Sequence, residues 1–163
     1  MKRLLKLQTP LLKLVFSEID DLETNDQGLG FSDSGSTFNA IPSSGLHLLT
    51  DIVEDTSKTV LTPTEETMTS SYRGKLKLKT LPLGAREAYV FKGMTIKPLL
   101  STGVLCDAGC KALYEKNKLT VFFKDRVVLT GYRDPSTDGL WMVDLDPKSD
   151  VSTPSTQQAR KLS

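Results

Sequence analysis

Asp33 is followed by Ser34, Gly35, Ser36 and Thr37 and preceded by the short apolar run 29–31. A carboxylate in this setting can act as a general base and activate a water molecule. The glycine beside it lets backbone and ligand approach closely. The hydroxyl residues can hold the loop by hydrogen bonds to its own backbone. The segment continues into apolar Phe38, so the carboxylate lies on a loop between two strand-forming stretches, the rigid support a catalytic group needs. Taken alone, Asp-Ser-Gly is a common turn, because each of the three residues favours turns for local reasons. No second Asp-Ser/Thr-Gly occurs in the chain. Chemistry that uses two carboxylates must therefore take the second from another copy of the molecule.

The elements that hold this loop read as short strands with turn punctuation. Strand signals fall at 29–31, 59–61, 75–79, 88–91, 119–123, 126–129 and 140–143. Lys75-Leu76-Lys77-Leu78-Lys79 alternates strictly, as a half-buried antiparallel strand does. Lys124-Asp125 separates two strand signals as a tight hairpin turn. Helix is scarce: 103–108 is the one good candidate, ended by Gly109. Residues 46–53 read equally well as strand or helix. The pattern predicts an all-β class, a closed and mostly antiparallel barrel with one short helix, extended by a C-terminal β-meander over 119–143. Phe31, Ile41, Leu76, Leu78, Val90 and Leu100 are expected in its core. Residues 28–146 form this domain. Residues 1–27 read as a basic, then acidic, flexible extension, and 147–163 as a polar disordered tail.

Composition narrows the function classes. The chain has 163 residues, 38% hydrophobic and 25% charged, with a formal net charge of +1. That balance gives no reason to expect direct nucleic-acid binding or an anionic membrane surface. No apolar run approaches the roughly 20 residues of a membrane-spanning helix. Lys6, Gln8, Pro10 and Lys13 break the apolar core that a secretory leader would need. The two cysteines, Cys106 and Cys110, are too few for a disulfide framework and are expected as buried, reduced thiols. With a single histidine, His47, a structural metal site is not expected. No nucleophile motif accompanies His47, so it reads as a satisfied or partly exposed histidine. Trp141 reads as packing and Asp107 as surface charge.

Further motifs carry a resemblance. Leu99-Leu100-Ser101-Thr102-Gly103-Val104-Leu105-Cys106-Asp107-Ala108-Gly109-Cys110 is similar to the segment that closes the protease domain of copia-type retrotransposon polyproteins. Val128-Leu129-Thr130-Gly131-Tyr132-Arg133-Asp134, then Gly139-Leu140-Trp141, follows that family in order and spacing, as does Asp-Ser-Gly-Ser-Thr. The resemblance spans about residues 28–146.

It implies a retropepsin-like aspartic protease, a homodimer with one catalytic Asp33 per subunit and no cofactor. Ser34, Gly35, Ser36 and Thr37 would support the catalytic loop, with Ser34 bonding across the dimer. The substrate would be an extended peptide or polyprotein, cleaved in cytoplasmic particles. A flap over the site would span 60–74, with Thr62, Pro63, Thr64, Glu65 and Glu66 at its tip and Met68 near substrate. This tip lacks the glycine usual in retropepsins, and Ser101 stands where the wider pattern has glycine. The zinc knuckle, integrase and polymerase that flank such a protease are not in this sequence, so a fragment, a truncated remnant or a derived host gene is expected. The alternative reading is an inactive protease-like domain serving dimerisation or peptide binding.

Overall fold

The computed structural model describes the backbone of residues 3–6 and residues 28–62 and 64–147. Among these the chain is all-β. The strands are β1 (Arg3–Lys6), β2 (Leu29–Asp33), β3 (Asn39–Pro42), β4 (Leu49–Glu54), β5 (Lys58–Leu61), β6 (Thr67–Thr69) and β7 (Tyr72–Leu76). They continue with β8 (Glu87–Phe91), β9 (Leu99–Ser101), β10 (Lys111–Tyr114), β11 (Lys118–Phe123), β12 (Arg126–Asp134) and β13 (Leu140–Asp144). Among the described residues one α-helix, α1 (Thr102–Asp107), follows β9, and short 3-10 turns occupy 43–48, 83–85 and 135–137.

Ten strands form one sheet in the order β10-β11-β12-β13-β2-β9-β3-β8-β7-β4, and β1-β5-β6 form a smaller one. The C-terminal meander is antiparallel throughout, and its last strand pairs Met142 with Phe31, next to the Asp33 loop. Parallel pairing gathers around that loop: β2 runs parallel to β9, and β3 parallel to β8. The strand β9 therefore lies between β2 and β3, the two strands that the Asp33 loop connects. Leu99 and Leu100 are both buried, as neighbours on both sides require.

The expected closed barrel is not found. The large sheet has two ends, β10 and β4, with no ladder joining them among the described residues. A bulge between Thr50 and Val53, with Asp51 at φ 54°, bends β4. Such a bulge re-aims an edge strand, and pairing with β7 resumes beyond it at Val53 and Arg73. Part of the stretch expected to be a flexible extension forms β1, which pairs in parallel with β5; residues 7–27 and 148–163 lie outside the described residues.

Two apolar clusters fill the interior. One gathers Ile41, Leu76, Leu78, Leu100, Leu105 and Leu129. The other gathers Phe31, Phe38, Val60, Tyr89, Phe91 and Leu99. Leu76 and Leu78 are buried while Lys75, Lys77 and Lys79 are exposed or nearly so, but the strand stops at Leu76. There the ladder gives way to single bonds from Leu76 N–H to Arg86 O and from Lys77 N–H to Leu48 O. Alternation thus reports burial and overruns the strand.

The α1 helix ends where expected. Gly109 has φ +93°, and its N–H bonds Cys106 O while Cys110 N–H bonds Leu105 O. An alanine there meets backbone strain, so Gly109→Ala is expected to cost about 1–2 kcal/mol in urea denaturation. No helix among the described residues is long and apolar enough to cross a membrane.

Candidate active site

Asp33 is the last residue of β2 and is 3% exposed. Its Oδ1 accepts the Gly35 N–H at 2.8 Å, which closes the turn locally. Its Oδ2 is buried and has no hydrogen-bond partner among the described residues. Burial pushes the carboxyl above its ordinary 3.8, and the Gly35 bond offsets this only in part. A carboxyl whose charged form is disfavoured, with one oxygen held and the other uncommitted, is suited to exchanging a proton with a reacting group.

The loop beyond it is held from below. Ser36 is buried, and its hydroxyl donates to Phe38 O. Ser36 O in turn accepts the Ser101 hydroxyl at 2.6 Å. The same Ser101 oxygen accepts Val104 N–H at 3.1 Å, capping α1. Ser101 thus joins the carboxylate loop to the helix start, which glycine at that position could not do. Ser101→Ala removes both bonds and is expected to cost about 2 kcal/mol in urea denaturation. An undiminished midpoint would show that the loop holds itself.

Asn39 lies beneath the same junction and is 1% exposed. Its Oδ1 accepts Ser101 N–H at 2.7 Å, and its Nδ2 donates to Ala85 O at 3.0 Å and Glu87 O at 2.8 Å. Sequence reasoning passed over Asn39. A buried asparagine at the start of an apolar stretch, Asn39-Ala40-Ile41, was the available signal, since such a side chain must find partners.

Ser34, Gly35 and Thr37 are exposed. Gly35 is not among the positive-φ glycines, so its contribution is open backbone beside Asp33 rather than an unusual turn.

The expected flap is a hairpin of β5 and β6 that pairs Val60 with Met68 and Leu61 with Thr67. Thr62 N–H bonds Glu66 O and Glu65 N–H bonds Thr62 O across the tip, and Thr62 Oγ1 lies 3.1 Å from Thr64 Oγ1. Glu65 takes φ 64°, supplying the turn that glycine would normally make. Pro63 lies outside the described residues. Val60 and Met68 pack in the cluster that holds Phe38, so the hairpin's stem stands beside the end of the Asp33 loop. Met68 is half-buried there and acts as packing. Lys58 places its ammonium over the rings of Tyr89 and Phe38 at 5.1 and 5.8 Å. A cleft of about 350 Å³ opens at this point, with Thr37, Phe38, Lys58, Tyr89 and Asp107 in its walls.

Apart from Asp107 in the cleft wall, the other candidates do not converge on the site. Cys110 is buried, but Cys106 is exposed, which corrects the expectation of two buried thiols; the helix turns that face outward. His47 is exposed, with Nδ1 3.0 Å from Ser44 O. No group of three or more His, Cys, Asp or Glu side chains among the described residues could hold a metal ion. Asp107 is exposed at the end of α1, and Trp141 is half-buried against Tyr114. No protein-family model, curated protein or solved structure matches this chain.

Proposed function

We propose that this chain is a retropepsin-like aspartic endopeptidase of the copia retrotransposon type, working as a homodimer with one Asp33 from each subunit. The observation that carries the reading is Asp33 itself: buried, raised in pKa, one oxygen tied to Gly35 and the other without a partner among the described residues. The insertion of β9 between β2 and β3, with Ser101 gripping the loop, adds the rigidity that a catalytic carboxylate needs.

Two such carboxyls at a two-fold axis cannot both ionise, so the pair shares one proton. The ionised member takes a proton from water as the water oxygen bonds the scissile carbonyl carbon. The protonated member gives its proton to the carbonyl oxygen. As the C–N bond breaks, the now protonated carboxyl gives its proton to the leaving nitrogen and the other carboxylate takes one from a hydroxyl of the tetrahedral carbon, which becomes the product acid, so the dyad again holds one proton. Substrate lies extended, its backbone paired under the β5–β6 hairpin.

A second reading keeps the dimer and the peptide groove but not the turnover. It is favoured by one feature, the flap tip built on Glu65 at φ 64° without glycine. Peptide-library cleavage between about pH 5 and 7, the range in which a carboxylate dyad can share one proton, separates the two. Turnover blocked by pepstatin and absent in Asp33→Asn is the expected result. Peptide binding by a dimer without turnover would establish the second reading, and turnover that persists in Asp33→Asn would exclude Asp33 as the reacting group.

A further inference from the structure

In the ladder order β10 stands four strands from β2. In a flat sheet that separation is roughly 19 Å, far beyond the reach of one side chain. Yet the Tyr114 hydroxyl, at the end of β10, lies 2.9 Å from Ser32 Oγ on β2 and 2.9 Å from Thr102 Oγ1 at the start of α1. Ser32 Oγ and Thr102 Oγ1 are themselves 3.3 Å apart. The meander therefore rolls back on the strand that carries Asp33, and three hydroxyls close the roll where no backbone ladder does. The Tyr114 ring is braced edge-on against Trp141, with centroids 5.1 Å apart, and Arg133 covers Trp141 from 5.9 Å.

Ser32 directly precedes Asp33, and Thr102 directly follows Ser101, whose hydroxyl grips the loop at Ser36. One phenol thus ties together the two elements whose relative position sets the loop. We propose that Tyr114 is a positioning residue for Asp33, and that the C-terminal meander belongs to the catalytic apparatus through it. This inference rests on the reading of Asp33 as the reacting carboxylate. Tyr114 is 39% exposed, so the loss of its oxygen does not open the core.

The test is amide hydrogen exchange on the full chain, comparing wild type with Tyr114→Phe, which keeps the ring and its contact with Trp141. Exchange over residues 33–37 is expected to rise about tenfold, the effect of losing one net hydrogen bond locally. Exchange over β7 and β8 should not change. Ser32→Ala, which removes the Ser32 bonds to Tyr114 and Thr102, should also raise exchange at 33–37, and the double variant should rise by less than the product of the two single effects, because they share one bond. Unchanged exchange at 33–37, or an equal rise across the whole domain, would overturn the inference. Where wild type cleaves peptide, Tyr114→Phe should lower kcat with KM unchanged; an unaltered kcat alongside looser amides would also overturn it. The exchange readout stands without turnover, so an inactive wild type would count against the proposed reaction and not against the positioning role.

Discussion

Asp33→Asn is expected to remove cleavage, by about 10³-fold or more, and at the same time to make the chain more stable at pH 7. On the proposed reaction, removing a general acid–base group accounts for the first effect. The second follows from the site's electrostatics. Burial raises the Asp33 carboxyl above its ordinary 3.8, so the folded chain holds this proton more tightly than the unfolded chain does. The stabilisation that the group offers is fully present below the unfolded value and is lost as pH rises through the folded one. Ionising the wild type means folding around a buried carboxylate whose Oδ2 has no partner among the described residues, whereas the variant folds around a neutral amide that can keep the Gly35 bond. A gain of about 1 kcal/mol, roughly 4 °C in Tm, is expected at pH 7. It should shrink as pH falls toward about 4, where the unfolded carboxyl also takes up its proton. Thermal melts of both proteins across this range provide the check. A variant less stable than wild type at every pH would mark Asp33 as a structural carboxylate and remove the main support for catalysis.

The largest loss of stability is expected at Asn39. Asn39→Ala breaks three hydrogen bonds, two of them buried and one part-buried, that reach Ser101 N–H, Ala85 O and Glu87 O. Each buried group left unpaired costs about 1–3 kcal/mol, and partial relaxation brings the expected total to about 3–5 kcal/mol. That is a large part of the stability of an ordinary domain. Urea denaturation should show a lower midpoint with an unchanged slope. Asn39→Asp separates the contributions: it keeps the acceptor for Ser101 N–H but loses both donors and brings a charge into the core. It should therefore fall at least as far as alanine at pH 7 and recover in acid. A loss below about 1 kcal/mol for Asn39→Ala would mean that the junction of β3, β8 and β9 is held by apolar packing alone. The site would suffer with the fold, because Ser101, which Asn39 positions, is the residue that grips the Asp33 loop.

Much of the strand pattern was legible in the sequence. The segments at 29–31, 59–61, 88–91, 119–123 and 140–143 all lie in strands, and the turn at Lys124-Asp125 joins β11 to β12 with both residues at positive φ. The strand β9 was not legible, because Leu99-Leu100-Ser101 is short, buried on both faces and without alternation. The strand β4 was ambiguous because a bulge interrupts its period. The missing glycine at the tip of the β5–β6 hairpin was visible, but that Glu65 would take its conformation was not.

The all-β class, the carboxylate and the turn-forming residues around it could be read along the chain, because alternation and turn preference act between near neighbours. Tertiary structure alone decided what holds that carboxylate. Ser101 reaches Ser36, Asn39 reaches Ala85 and Glu87, and Tyr114 reaches Ser32, in each case across chain separations that no local pattern encodes. It also decided that, among the described residues, β10 and β4 end the sheet without a ladder between them and that hydroxyls draw the meander back onto β2. A hydrogen bond depends on distance and direction in space, and those exist only after the apolar clusters have packed.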